Sequence, residues 1–132
     1  MPQARILIAD DYDDNRELLR LMLESAGYSV RETSDGRECI AAARAELPDI
    51  ALIDLSMPVL DGWATLRELR ADERTRHVAC IAVTALAAEQ DRQRALDAGF
   101  DAYLSKPYRS RDLLELVERL LSQTKAATDN AL

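Results

Sequence analysis

Five side chains with the makings of a reaction centre lie at four widely separated places in the chain: Asp10 and Asp11, Asp54, Thr84 and Lys106. Each closes or follows a short apolar or β-branched run, so each falls at the carboxyl end of an expected strand. In open parallel sheets, ligands bind beyond those ends, near the place where strand order reverses. Three carboxylates, one hydroxyl and one ammonium group therefore converge on one rim. Clustered carboxylates repel one another, and at least one is pushed towards its protonated form unless a cation compensates. Oxygen ligands that leave several positions to water and phosphate suit Mg2+, whereas Ca2+ favours a dedicated loop with more protein ligands. Capping of a neighbouring helix would account for any single aspartate here. It does not account for the lysine and the threonine as well.

The elements that hold these groups follow from hydrophobic patterning. Strands are expected at Arg5 to Ala9, Ser29 to Thr33, Ile50 to Asp54, Val78 to Thr84 and Ala102 to Ser105. The first, third and fourth are near-continuous apolar runs, as strands covered on both faces should be, and belong at the centre of the sheet. In the second, Val30 is the only aliphatic residue and stands between polar neighbours, which suits an edge. Helices are expected at Asp14 to Ala26, Arg37 to Glu46, Trp63 to Ala71, Glu89 to Ala98 and Ser110 to Leu121. Gly27 and Gly99 stand where a left-handed residue commonly closes a helix, and Ser110 with Asp112 and Leu113 reads as a capped helix start. Strand and helix alternating in this way is the pattern of a parallel sheet covered by helices. Residues 1–121 form the expected domain. Residues 122–132 have no apolar period and are expected to be a flexible tail.

Composition narrows the possibilities further. Of 132 residues, 17 are basic and 24 acidic, and the net charge of −7 opposes non-specific attraction to nucleic acid or to an anionic membrane. The longest apolar run, Val78 to Val83, is six residues, against the ~20 that a spanning helix needs. The N-terminus lacks the pattern of a secretory signal, so a cytoplasmic location is expected. Cys39 and Cys80 have neither CxxC spacing nor nearby histidines and read as buried structural thiols. His77, the single histidine, reads as a surface loop residue, and Trp63 as packing at a helix start.

At these residues the chain resembles the receiver domains of two-component response regulators. The resemblance covers roughly residues 5–121. It rests on Asp10-Asp11 after the first strand, Asp54 followed by Met57-Pro58 and Asp61-Gly62, Thr84-Ala85 after the fourth strand, and Lys106-Pro107 after the fifth. It implies a flavodoxin-like (CheY-like) α/β fold, a doubly wound five-stranded parallel sheet in the order 2-1-3-4-5 with five helices.

The resemblance also implies roles. Asp54 is the phosphoacceptor, attacking the phosphorus of a phosphohistidine on a histidine kinase or a histidine phosphotransfer protein; a carboxylate needs no general base for this. Asp10, Asp11, Asp54 and the backbone carbonyl of Ser56 hold Mg2+, with Mn2+ a possible substitute. Lys106 supplies a second positive charge to the transferring group. Thr84 reads the modification through its hydroxyl, and Tyr103 fills the space that Thr84 vacates. Pro107 follows a peptide bond that is usually cis in the family, which would aim Lys106 into the site. Gly62 is expected to supply a backbone angle that other residues resist, and the small Ala85 to leave access for the phosphoryl group. Ser56 and Leu86 occupy the positions that tune hydrolysis. Neither can orient a water, so a modified state lasting minutes or longer is expected.

Other phosphate chemistries fit the residues less well. A haloacid-dehalogenase-like phosphatase needs a second aspartate two residues after its nucleophile, and Ser56 stands there. A flavin or nucleotide carrier needs a glycine- or hydroxyl-rich loop after the first strand, where this chain has Asp10-Asp11-Tyr12-Asp13-Asp14. A receiver module of a hybrid histidine kinase and a phosphorylation-independent docking scaffold stay open. Helical periodicity places Leu19, Met22, Leu23 and Ala26 on the core stripe of the first helix and leaves Leu18 and Leu21 at or beyond its edge. By analogy with the family, Asn15, Leu18 and Leu21 are expected to dock the kinase. Output is expected through the fourth helix, fifth strand and fifth helix, from a monomer or a weak phosphorylation-dependent dimer.

Overall fold

Five parallel strands form the sheet: β1 (Arg5–Ala9), β2 (Ser29–Thr33), β3 (Ile50–Asp54), β4 (Ala79–Thr84) and β5 (Ala102–Ser105), in the order β2-β1-β3-β4-β5. The computed structural model describes residues 3–85 and 88–130, with side chains described to residue 123. Alternate side chains of each strand feed opposite cores. Ile6, Ile8, Ile50, Leu52, Ile81, Val83, Ala102 and Leu104 join one cluster with Leu19, Leu23, Leu113 and Val117. Leu7, Ala9, Ala51, Ile53, Cys80 and Ala82 join the other, with Cys39, Ile40, Leu66, Leu69 and Ala95. β1, β3 and β4 are thus buried on both faces, as their unbroken apolar runs require, and the half-exposed β2 lies at the edge.

Helices α1 (Asp13–Ser25) and α5 (Ser110–Asn130) cover the first face, and α2 (Gly36–Ala45), α3 (Gly62–Ala71) and α4 (Glu89–Ala98) the second. Asp35 caps α2 by accepting from the Glu38 N–H at 2.9 Å, and Asp61 caps α3 by accepting from the Ala64 N–H at 2.9 Å. Gly27 and Gly99 adopt left-handed φ of 96° and 115°, closing α1 and α4 as their positions suggested. Three expectations need correction. Val78 belongs to the turn before β4, its N–H donating to the Thr75 carbonyl at 3.1 Å. Ala26 ends α1 as an exposed cap instead of joining the core stripe. Finally, α5 continues to Asn130 instead of ending at Leu121. No glycine or proline interrupts residues 122–130, and a helix already nucleated propagates through residues such as Gln123, Lys125, Ala126 and Ala127 at little cost.

Candidate functional site

Because β1, β3 and β4 lie side by side, the acidic groups at their ends meet. Asp10 follows β1, while Asp54 and Thr84 close β3 and β4; all three are buried, and Asp11 is exposed. Carboxylate oxygens of Asp10, Asp11 and Asp54 lie within 4.8 Å of one another. Lys106, just beyond β5, places its Nζ 2.8 Å from Asp54 Oδ2 and 3.7 Å from Asp10 Oδ2. The Lys106–Pro107 bond is cis. The Lys106 N–H donates to the Thr84 carbonyl at 2.7 Å, which fixes the start of this connection beside the end of β4.

The two buried carboxylates are partly used. Asp54 Oδ1 accepts from the Ser56 N–H at 2.8 Å, and Asp10 Oδ1 accepts from the Tyr12 N–H at 2.9 Å. Asp10 Oδ2 is buried and has no hydrogen-bond partner. Burial pushes the Asp10 carboxyl up from its ordinary value, against the Tyr12 N–H bond and the Lys106 charge, which favour ionisation, while Asp54 and Asp11 add repulsion. Burial would pull the Lys106 ammonium down, but the hydrogen bond and charge of Asp54, with Asp10, hold it above its usual range. A buried acceptor without a donor is costly, and three hard oxygen donors around it are the ligand chemistry of a small divalent cation. The residues present fit Mg2+.

The loop after Asp54 has a reason for its glycine that differs from the expected one. Gly62 is not left-handed; among the described residues, Gly27 and Gly99 are the left-handed glycines. A Cβ on Gly62 would instead lie 2.5 Å from the Asp54 carbonyl oxygen and 2.7 Å from Leu55 Cα. Only glycine lets α3 start this close to the Asp54 backbone. The left-handed residue of this loop is Val59, at φ 68°, between a Pro58 carbonyl and a Leu60 N–H 2.7 Å apart.

Thr84 and Tyr103 lie on the same face of adjacent strands: Tyr103 pairs with Ala82 in the register, two residues before Thr84. Tyr103 is half-buried and packs on the second-face core. Ala85 is exposed beside Thr84. Leu86 lies outside the described residues. His77 is exposed and both cysteines are buried. Trp63 is half-buried, its ring edge against Phe100 with centroids 6.0 Å apart.

Leu18 and Leu21 are 51% and 50% exposed, as the edge of the helical stripe suggested. Asn15, Leu18 and Met22 face Ala85, Lys106, Pro107 and Tyr108 across a cleft of about 470 Å³. Leu21 is not among the residues lining it. Two contributors escaped the sequence reading. Tyr108 walls this cleft, its phenol pushed up to about 12 by burial and by the charges of Asp10 and Asp54; its place directly after Lys106-Pro107 was the available signal. Arg16 donates from Nη1 to the Asp10 carbonyl at 2.9 Å, and nothing in the local pattern pointed to it.

Comparison with known proteins agrees with this geometry. The family model described as the response regulator receiver domain matches residues 6–118. The polar-differentiation response regulator DivK of Brucella anthropi is 34% identical over 121 residues, which cover 92% of this chain and 98% of DivK. The master transcriptional regulator RpaA of a Synechocystis strain is 39% identical over 120 residues, but only 50% of its own length is covered. Among solved structures, the receiver domain of the Pseudomonas aeruginosa sensor histidine kinase PA1611 superimposes with a TM-score of 0.85 at 36% identity. That match covers 92% of this chain and 99% of the PA1611 domain, which was solved with a magnesium ion coordinated in its active-site cleft. A chemotaxis protein CheY4 of Vibrio cholerae superimposes with a TM-score of 0.84 at 27% identity, over 90% of this chain and 99% of CheY4. The fold is shared along nearly the whole chain, and the chain belongs to the response regulator receiver domains.

Proposed function

We propose that this protein is a phosphoacceptor switch, receiving a phosphoryl group on Asp54 from the phosphohistidine of a histidine kinase or a histidine phosphotransfer protein. The observation that carries this reading is the buried Asp54 carboxylate held 2.8 Å from Lys106 Nζ, next to Asp10 Oδ2, which accepts no hydrogen bond. An Asp54 carboxylate oxygen forms the new bond to phosphorus as the phosphorus–nitrogen bond to the donor imidazole breaks, and the imidazole leaves with that electron pair. Lys106, now holding Asp54 Oδ2, is within reach of a phosphoryl oxygen and offsets its charge. The Ser56 N–H fixes the other carboxylate oxygen. Asp10, Asp11, Asp54 and the Ser56 carbonyl would hold Mg2+, or Mn2+ in its place, and the bound ion supplies the charge neutralisation that lets two anions approach.

The readout is Thr84. Its hydroxyl can donate to a phosphoryl oxygen that the bare carboxylate lacks, and Tyr103, paired with Ala82 two residues before Thr84, lies on the same sheet face. Tyr103 also walls a groove with Glu89, Arg92 and Asp112, which supports output through the α4, β5 and α5 face. The exposed Leu18 and Leu21, with Asn15 in the adjoining cleft, suit the docking of an apolar helical surface of the phosphodonor. No helix among the described residues is long and apolar enough to cross a membrane.

Incubation with acetyl phosphate and Mg2+, followed by intact-mass measurement, tests the reading. The wild type is expected to gain one phosphoryl group that persists for minutes, and Asp54→Asn to gain none. An unmodified wild type, or an equally labelled variant, overturns it. Replacing Leu18 and Leu21 by Ser is expected to slow transfer from the cognate kinase at least tenfold while leaving acetyl phosphate labelling intact; equal slowing with both donors would reject the docking assignment.

A further inference from the structure

Arg16 occupies the first turns of α1, where a cation opposes the helix dipole, so its placement calls for a compensating contact. Three are present. Nη1 donates to the Asp10 carbonyl at 2.9 Å, Nη2 donates to Asp13 Oδ1 at 2.5 Å, and Nε lies 3.4 Å from Glu32 Oε1 on β2. The side chain is only 18% exposed. The Asp10 N–H in turn donates to the Thr33 carbonyl at 3.1 Å, and the Thr33 hydroxyl donates to the Ile8 carbonyl at 2.7 Å. Both ends of the Asp10 residue are therefore pinned to β2 or α1. With Oδ1 taken by the Tyr12 N–H, the oxygen left over is Oδ2, buried and aimed at the rim.

We infer that Arg16 is a positioning residue for the cation-binding loop, fastening the Asp10 carbonyl to α1 and the β2 edge so that Asp10 and Asp11 are preset for a divalent ion. The inference rests on the functional reading above. A planar guanidinium can serve three acceptors in fixed directions, and a lysine ammonium on a flexible stem cannot reproduce that fork. Groups that orient metal ligands without touching the metal typically affect its affinity by 10–100-fold. Because Thr33 still holds the Asp10 N–H, the lower end of that range applies.

Calorimetric titration with MgCl2 tests this on wild type, Arg16→Met, Arg16→Lys and Arg20→Met. Arg16→Met keeps the aliphatic stem and removes the donors; Mg2+ affinity is expected to fall about 10-fold, with Arg16→Lys in between. Arg20→Met, which loses only ion pairs to Glu17, Glu24 and Glu32, is expected to bind like wild type. In acetyl phosphate labelling, the Mg2+ concentration needed for half-maximal rate rises in Arg16→Met while the rate at saturating Mg2+ returns to near wild type. A misplaced loop produces that split and general damage to the fold does not. If Arg16→Met fails to fold by circular dichroism, Arg16→Lys carries the comparison. Wild-type affinity in a folded Arg16 variant overturns the inference, as does a defect confined to transfer from the kinase, which would make Arg16 a partner contact. A wild type that binds no divalent ion overturns the functional reading itself, and this inference with it.

Discussion

Helix α2 buries Gly36, Cys39, Ile40, Ala42 and Ala43, whereas α4, of equal length and on the same face of the sheet, buries Ala95 alone. Small side chains let α2 approach β1 and α3 so closely that a Cβ on Gly36 would collide with the Thr65 hydroxyl and the Leu60 carbonyl. The first two turns of α4 are Glu89, Gln90, Asp91, Arg92, Gln93 and Arg94. Besides Ala95 and the half-buried Leu96, its hold on the body includes Arg94, whose guanidinium carbon lies 4.9 Å from the Trp63 ring centroid. Segments with little buried apolar area open at low free energy. The helix next to the proposed readout pair, Thr84 and Tyr103, is thus cheap to rearrange, and the helix behind β1 is not. A switch needs that asymmetry: a fixed frame to hold the acidic rim and a loosely held element to report on it.

The contrast can be broken by substitution. Ile40→Ala in α2 is expected to cost about 2–5 kcal/mol in urea unfolding, from lost burial and the cavity left behind. Leu96→Ala in α4, where the side chain is already half exposed, should cost under about 1 kcal/mol. Equal losses would mean that α4 is held as firmly as α2.

An alkaline titration sharpens the same point on the α2 side. Burial pushes the thiols of Cys39 and Cys80 from 9.0 up to about 12. The unfolded chain therefore releases these protons first. Their contribution to stability is complete below pH 9 and is lost as pH climbs from 9 towards 12. One pH unit above 9, the loss should be about 1 kcal/mol per thiol. Unfolding midpoints measured against pH should fall over this window in wild type and fall less steeply in a Cys39→Ala, Cys80→Ala variant, in which the buried Tyr108 phenol still contributes. A profile identical in the two would show that the thiols do not report the tight packing around α2.

The smallest effect concerns the α4 anchor. Arg94→Met should lower stability by about 0.5–1 kcal/mol, the worth of a partly exposed cation–π contact, and shift Trp63 fluorescence. In a Trp63→Leu background the same change should cost nothing. A persistent cost there would place the hold of Arg94 elsewhere.

Much of this was legible in the chain, because its signals are local. Short apolar or β-branched runs with acidic or hydroxyl ends announce a buried parallel sheet and a reactive rim, and strands of period two send Ile6 and Leu7 to opposite faces whatever surrounds them. Leu18 and Leu21 are exposed because helical geometry leaves them off the core stripe. The misreadings have local causes too. The end of α5 carries no stop signal, and a helix continues there without an apolar period. Val78 has a strand-like side chain but its N–H is taken by the turn at Thr75.

Residue types and order along the chain were enough to set the strand sequence, the two-sided core and the identity of the groups at the rim, since these depend on patterning within a few residues. Packing between distant segments decided the rest. It made Gly62 necessary for its missing Cβ and not for its backbone angle, left Asp10 Oδ2 without a donor, and brought Arg16 to the back of the acidic loop. Each of these is a distance between atoms from different elements, and such a distance exists only once the sheet has closed.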